Sequence, residues 1–184
     1  QRFEQSPELK ALSWLNTEQV SPESEAEWRD PHITADTLAF LQYTSGSTSQ
    51  PKGVMLTHGN LMHNLKAIQY GFQIDGNDSG AFWLPSYHDM GLIGGILEPI
   101  YIGLPSTLMS PVSFLQRPHR WLEAISKYKV TTSGAPNFAY DLCVDKITPE
   151  QLETLDLSAW KLAFCGAEPI RPETLERFAR TFEP

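Results

Sequence analysis

The sequence predicts an α/β fold, with a mostly parallel sheet and helices on both faces. From residue 38 onward, short apolar runs alternate with stretches whose apolar residues repeat at helical spacing. Strands that alternate with helices are joined by right-handed crossovers, which place the strands parallel to one another. The composition agrees, because 41% hydrophobic and 20% charged residues in a chain of 184 are typical of one globular domain.

The individual elements follow from this alternation. Strands are expected at five apolar runs, 38–43, 81–85, 106–110, 130–134 and 161–166. Helices are expected over 59–71, 88–103, a segment after Pro118, 137–147 and a last segment around 175–182. Thr57 is expected to cap the first helix. Residues 1–36 are predicted to form a polar, acidic connecting segment with a short helix at 8–15, and residues 37–184 an incomplete domain.

The net charge, the hydropathy and the cysteines exclude several functions. A net charge of −8 is repelled by nucleic-acid phosphates, so no nucleic-acid partner is expected. No run approaches the roughly 18 apolar residues of a membrane helix, and the first residues lack the apolar core of a signal peptide. We therefore expect a cytoplasmic protein without a membrane span. Cys143 and Cys165 lie in apolar stretches, which favours two buried reduced thiols over a disulfide or a metal site.

A loop rich in hydroxyl groups follows the first predicted strand. It runs from Thr44 to Gly53, inside a region (37–74) that contains no Asp or Glu. Hydroxyl and backbone N–H groups bind phosphate oxygens, Gly46 allows close approach of a ligand, and Lys52 adds a point charge. The spacing does not fit the nucleotide-binding P-loop, and the alternative is a Ser-rich surface turn. The predicted phosphate-binding residues are Thr44, Ser45, Gly46, Ser47, Thr48 and Lys52.

A histidine begins the most apolar of the predicted helices. His88 follows a strand and Pro85 at the edge of the sheet where ligands of parallel α/β folds bind. Gly91, Gly94 and Gly95 interrupt the helix, and each costs about 1 kcal/mol relative to Ala. Close approach of a ligand or of a second backbone would offset this cost. The alternatives are a capping or core histidine, and glycines that serve only tight helix packing.

Two later strands each lead into a distinctive segment. After the run at 130–134, Phe138 lies near the start of a predicted helix, where an ordinary core residue is the simplest interpretation. After the run at 161–166, small residues leave backbone groups open and offer a flat surface that suits an adenine ring. These predicted adenine-binding residues are Gly166, Ala167, Glu168 and Pro169.

Together these segments resemble the adenylate-forming superfamily of acyl-CoA synthetases, luciferases and peptide-synthetase adenylation domains. TSGSTSQPKG (44–53) is similar to its phosphate-binding signature, WLPSYHDMGLIGG (83–95) to its second core motif, and GAEP (166–169) to the segment that borders the adenine. The form of the second motif is typical of fatty acyl-AMP ligases. Ser49, which stands where the superfamily usually has Gly, also favours them. The three motifs occur in order, and the resemblance covers residues 38–184.

The resemblance implies a ligase that uses ATP and Mg²⁺ to convert a fatty acid to acyl-adenylate. The acyl group would pass to an acyl carrier protein in polyketide or lipopeptide biosynthesis. Catalytic roles for His88 and Lys52 are implied, as is an acyl pocket lined by Gly91, Gly94, Gly95 and Phe138. The alternatives are a fatty acyl-CoA ligase and a non-catalytic nucleotide-binding module. The Mg²⁺ ligand and the catalytic lysine of the family are expected elsewhere in a longer protein, so the isolated chain is expected to be inactive.

Overall fold

The chain divides into two compact units, residues 1–34 and residues 35–184. The computed structural model describes residues 12–44 and 52–183. The described part of the first unit contains two 3₁₀ turns, Thr17–Gln19 and Pro22–Glu27. The side chain of Ser21 begins the second turn by accepting the N–H of Glu23 at 3.3 Å. Most of the helix predicted at 8–15 lies outside the described residues, and residues 12–15 are not helical.

The second unit contains strands and helices in the predicted alternating order. The strands of its described residues are β1 (Leu38–Thr44), β2 (Lys52–Thr57), β3 (Gly80–Phe82), β4 (Ser106–Leu108), β5 (Thr132–Ala135) and β6 (Leu162–Cys165). The α helices there are α1 (His58–Phe72), α2 (Glu98–Ile102), α3 (Pro111–Gln116), α4 (His119–Tyr128), α5 (Asn137–Lys146), α6 (Pro149–Leu152) and α7 (Pro172–Phe182). A π helix, Met90–Leu97, runs directly into α2. None of the helices in the described ranges is both long and apolar enough to cross a membrane.

Four short strands form the central parallel sheet, in the order β4-β3-β5-β6. Phe82 pairs with Leu108 across β3 and β4, and Ala135 pairs with Cys165 across β5 and β6. All residues of β3 and β5 are buried, as expected for the central strands of a sheet that is covered on both sides. The predicted α/β class with a mostly parallel sheet is confirmed.

The first predicted strand does not join this sheet. β1 pairs antiparallel with β2 in a separate two-stranded sheet, with Thr44 opposite Lys52 at its open end. The prediction that this strand is buried is wrong, because no residue of β1 is buried and β2 is its only strand partner in the described ranges. The start of α1 is tied to the base of this hairpin, where the N–H of His58 donates to the Thr37 carbonyl at 3.0 Å.

The predicted caps and amphipathic faces hold the helices in place. The Thr57 side chain accepts the N–H of Asn60 at 3.2 Å, and the Asn60 side chain accepts the N–H of Thr57 at 3.1 Å. This reciprocal pair satisfies two donors at the start of α1 and confirms the predicted cap. Trp121 and Ile125 of α4 are buried, whereas Tyr128 at its end is exposed.

The hydrophobic core lies around the indole of Trp121, which is fully buried. Its Nε1–H donates to the Ser133 hydroxyl at 2.8 Å, and that hydroxyl donates to the carbonyl of Ala81. Trp83 stacks on Phe114 with ring centroids 3.9 Å apart. These contacts fasten α3 and α4 to β3 and β5, so the ends of the strands are held by a rigid core.

Candidate functional site

A cavity of about 460 Å³ lies in the second unit and brings two of the predicted motifs together. Its wall consists of side chains from α1, β3, the π helix, α2 and the segment that follows β6. From the predicted site residues it includes Gly94, Gly166 and Ala167. The remaining lining residues are Asn64, Ile68, Phe72, Ile74, Gly80, Phe82, Asp89, Met90, Ile93, Glu98, Pro99, Leu104, Thr132, Phe164 and Cys165. Most are apolar, so the cavity suits a largely hydrocarbon ligand.

The π helix forms one wall of this cavity. A π helix of eight residues is uncommon, and such segments occur frequently at functional sites. A Cβ added to Gly94 would meet no atom within 4 Å, so this glycine faces open space. A Cβ on Gly91 would clash with the carbonyl of Pro85 and lie 2.9 Å from that of Leu84. Gly91 therefore serves backbone packing.

The other two predicted acyl-pocket residues lie outside the cavity wall. A Cβ added to Gly95 would lie 3.3 Å from Cβ of Phe82, so this buried glycine allows the π helix to pack on β3. Phe138 is 45% exposed, and its ring packs edge-on against Trp83 at 6.0 Å between centroids. Only Gly94 of the four thus borders the cavity in the described residues.

His88 lies immediately before the π helix, next to the cavity. Its Nδ1 is 2.7 Å from Oδ1 of Asp89, which also accepts the N–H of Met90 at 2.6 Å. Asp89 therefore begins the helix, orients the imidazole and lines the cavity. The His88 side chain is about half exposed, so it can reach a ligand that enters from solvent.

The segment after β6 is held from beneath by Asn137, a fully buried side chain. Its Nδ2 donates to the Pro169 carbonyl at 3.0 Å, and its Oδ1 accepts the N–H of Arg171 at 2.9 Å. Ala167 is held with a φ of 69°, a left-handed conformation that costs a non-glycine residue about 1 kcal/mol or more. Such strain persists only where the surrounding structure enforces it, and Asn137 fixes the same segment two and four residues further along the chain.

Two of the four predicted adenine residues line the cavity. Gly166 and Ala167 do so, and a Cβ on Gly166 would lie 3.6 Å from Cε of Met90. The segment after β6 and the π helix therefore face each other across a short gap. Glu168 and Pro169 are exposed and lie outside the cavity wall.

The predicted phosphate loop lies largely outside the described residues, since Ser45, Gly46, Ser47 and Thr48 fall in the range 45–51. Thr44 and Lys52 stand opposite each other where this range begins and ends. Lys52 is exposed and forms no ion pair with any side chain in the ranges 12–44 and 52–183. Its predicted role toward phosphate stays a prediction.

The two thiols differ in environment. Cys143 is buried, as predicted, and burial raises its pKa to about 12. Cys165 is only partly buried and lines the cavity, so the prediction of two buried thiols is wrong for this residue. Both thiols are free, and the described residues contain no group of three or more His, Cys, Asp or Glu side chains that could hold a metal ion.

Glu98 is the most unusual residue of the cavity wall. It is 2% exposed, and neither carboxyl oxygen has a hydrogen-bond partner within the described ranges. Burial raises the pKa of Glu98 to about 7. Sequence reasoning missed this residue, although it is the single charged residue in the apolar stretch from Met90 to Ile102.

Comparison with known proteins identifies the family to which the chain belongs. The family model described as AMP-binding enzyme matches residues 4–184. The chain therefore belongs to the AMP-binding enzyme family, which implies a nucleotide ligand. It is 48% identical over 181 residues to the medium-chain-fatty-acid–[acyl-carrier-protein] ligase JamA of Moorena producens, and the match covers 98% of this chain and 31% of that protein.

Two further relatives narrow the comparison. The medium-chain-fatty-acid–[acyl-carrier-protein] ligase TtuA of Teredinibacter turnerae is 49% identical over 153 residues, which are 83% of this chain and 24% of that protein. A crystal structure of a fatty acyl-adenylate ligase from L. pneumophila, in complex with acyl adenylate and pyrophosphate, matches with a TM-score of 0.86 and 52% identity. That match covers 90% of this chain and 29% of the other. The chain thus spans between about a quarter and a third of the length of these relatives.

Proposed function

We propose that the protein to which this chain belongs activates a fatty acid as its acyl-adenylate and transfers the acyl group to an acyl carrier protein. The observation that carries this proposal is the shared cavity, in which Gly94 of the π helix and Gly166 of the predicted adenine segment border one apolar space. An acyl-adenylate needs such an arrangement, because its alkyl chain and its adenosine are attached to the two sides of one mixed anhydride. The names of the relatives JamA and TtuA support both the substrate class and the acceptor.

In the proposed reaction, a carboxylate oxygen attacks the α-phosphorus of MgATP, the P–O bond to the β-phosphate breaks, and pyrophosphate leaves. This chemistry depends on positioning and charge neutralisation. The hairpin end at Thr44 and Lys52, with the loop between them, would hold the leaving phosphates. His88, oriented by Asp89, would position the carboxylate. The segment Gly166–Pro169 would seat the adenine.

The apolar cavity would hold the alkyl chain. Each buried CH₂ contributes about 0.8 kcal/mol, so a chain of several methylenes supplies most of the binding energy for a fatty acid. Gly94 borders this space directly, while Gly91 and Gly95 allow the π helix to lie close to Pro85 and Phe82. We infer a cytoplasmic location from the free thiols Cys143 and Cys165, which suit a reducing compartment.

The test uses the full-length protein with MgATP and saturated fatty acids of increasing length. Acyl-AMP is measured by mass spectrometry and pyrophosphate exchange into ATP is measured in parallel. The rate of acyl transfer is then compared between a phosphopantetheinylated carrier protein and free CoA as acceptors. We expect acyl-AMP from medium-chain acids and transfer to the carrier protein. Efficient transfer to CoA instead would establish the alternative acyl-CoA ligase, and nucleotide binding without any acyl-AMP would establish a non-catalytic module.

A pair of variants connects this activity to the described site. His88→Ala should slow acyl-AMP formation at least tenfold, which corresponds to about 1.4 kcal/mol in the barrier. Tyr87→Ala is the matched control, because this neighbouring side chain is 87% exposed. Equal rates for the two variants would remove His88 from the reaction.

A further inference from the structure

Glu98 presents a polar group that the proposed function does not use. Its side chain lines the cavity, is 98% removed from solvent, and has two carboxyl oxygens without a partner in the described ranges. Buried carboxyl groups are normally paired, because an unsatisfied one retains its full desolvation penalty. Residues of the cavity wall nearby in sequence, Pro99 and Leu104, carry no side-chain donor or acceptor. A ligand that enters the cavity is therefore a candidate partner.

The position of Glu98 along the helix sets which part of a ligand it can meet. Asp89, beside His88, begins the π helix, and Glu98 follows its last residue. Glu98 lies nine positions after Asp89, so even at the rise of an α helix, about 1.5 Å per residue, the two residues lie at most about 13 Å apart along the axis. An extended chain advances about 1.2 Å per bond, so this distance corresponds to at most about eleven bonds. An alkyl chain whose carboxylate lies at His88 would bring its far end to Glu98.

We propose that Glu98 is a specificity-determining residue that hydrogen-bonds a hydroxyl group near the far end of the acyl chain. This inference rests on the proposed function. A carboxyl group can donate to and accept from a hydroxyl, whereas the terminal methyl of an unsubstituted acid leaves both oxygens unpaired. Burial also raises the pKa of Glu98 to about 7, so the protonated, donating form is present at neutral pH. The substrate class would thus be ω-hydroxylated or similarly end-substituted acids of about ten carbons.

The experiment compares decanoate, 10-hydroxydecanoate and 3-hydroxydecanoate as substrates of the full-length protein. The quantity measured is kcat/KM for acyl-AMP formation. 3-Hydroxydecanoate is the positional control, because its hydroxyl lies beside the carboxylate. Glu98→Leu should lower the ratio of 10-hydroxydecanoate to decanoate about tenfold and leave the ratio of 3-hydroxydecanoate to decanoate unchanged. Glu98→Gln, which still donates and accepts, should keep the wild-type ratio.

Thr132→Val is the matched control variant, because it removes a different polar group from the buried part of the cavity wall. The proposal is overturned if Glu98→Leu leaves the 10-hydroxydecanoate ratio unchanged, or if Thr132→Val shifts that ratio as far. An ordered water that satisfies Glu98 in the wild type would give the first of these results. If no acid of any kind yields acyl-AMP, the proposed function itself fails. If decanoate is converted to acyl-AMP but Glu98→Leu leaves the ratio of 10-hydroxydecanoate to decanoate unchanged, only the inference about Glu98 is refuted.

Discussion

Gly94 allows the proposed acyl pocket to be tested by filling it. The residue lines the cavity, and a Cβ built on it meets no atom within 4 Å. Gly94→Ala and Gly94→Val therefore add one and three carbon atoms to open space and leave the backbone in place. Replacing glycine by alanine inside a helix generally stabilises it by up to about 1 kcal/mol, so loss of folding would not be the cause of lost activity.

The expected magnitude follows from the volume that the new side chain takes from the substrate. Each added carbon displaces about one methylene, and each buried methylene is worth about 0.8 kcal/mol. Gly94→Ala should then lower kcat/KM about 4-fold for an acid that fills the cavity. Gly94→Val should lower it by about 2.4 kcal/mol, or about 60-fold. Acids too short to reach Gly94 should be almost unaffected, so the preferred chain length shortens.

The assay is acyl-AMP formation by the full-length protein. The substrates are about seven saturated, even-numbered acids of about four to sixteen carbons, a range that brackets the cavity length inferred above. Gly95→Ala is the matched control, since its Cβ would contact Phe82 at 3.3 Å and Gly95 lies outside the cavity wall. The control should keep the wild-type chain-length profile. An unchanged profile in Gly94→Val, or the same shift in Gly95→Ala, would refute the assignment of this cavity to the alkyl chain.

Three further predictions concern side chains around the site. Asn137→Leu removes the two hydrogen bonds that Asn137 makes to the Pro169 carbonyl and the Arg171 N–H, so urea unfolding should show a loss of about 1–3 kcal/mol in the free energy of unfolding; wild-type stability would contradict this role for Asn137. Lys52→Ala should slow ATP–pyrophosphate exchange about tenfold, or about 1.4 kcal/mol, and an unchanged rate would remove it from the site. Glu98 has its pKa raised from 4.5 to about 7 in the folded state, so its contribution to stability is complete below pH 4.5 and is lost as pH rises to about 7. This loss of folding stability should approach about 3 kcal/mol in the wild type and be absent in Glu98→Gln. Parallel curves of stability against pH for the two proteins would contradict the prediction.

Most of the parallel sheet could be predicted because its strands are short apolar runs between turn signals. The run at 81–85 is buried in the structure over Gly80–Phe82, and its apolar character reflects that burial directly. The run at 130–134 is buried over Thr132–Ala135, although Val130 is its only large apolar residue. Helix α4 could also be predicted, since Trp121, Leu122 and Ile125 repeat at helical spacing and all are buried. Signals of this kind are local, so a single sequence contains them.

The hairpin β1–β2 could not be predicted from local signals. The run at 38–43 is as apolar as a buried parallel strand, and nothing in it specifies an antiparallel partner at Lys52–Thr57. Which strands pair depends on residues that are far apart in the sequence, and the hydropathy of a single run does not determine it. The π helix was missed for a related reason: three glycines and an apolar pattern predict a helix, whereas its wide winding depends on how Gly91 and Gly95 pack against Pro85 and Phe82.

Sequence reasoning found cavity residues that have an unusual backbone, and it missed residues whose role depends on burial. Gly94 was noticed because a glycine inside a helix has a conformational cost that a ligand can offset, and Gly166 because small residues after a strand leave backbone groups open. Asn137 and Glu98 carry no such local signal, since an amide after a proline and an acid within a helix are ordinary on a surface. Their importance comes from burial: Asn137 bonds two backbone groups of one loop, whereas Glu98 has no hydrogen-bond partner among the residues that the structure describes. An amide whose donor and acceptor both bond to one loop holds that loop in place, whereas a buried carboxyl that lines an apolar cavity, without a partner in the described ranges, can select what enters it. Substitution of Glu98 should therefore change substrate choice.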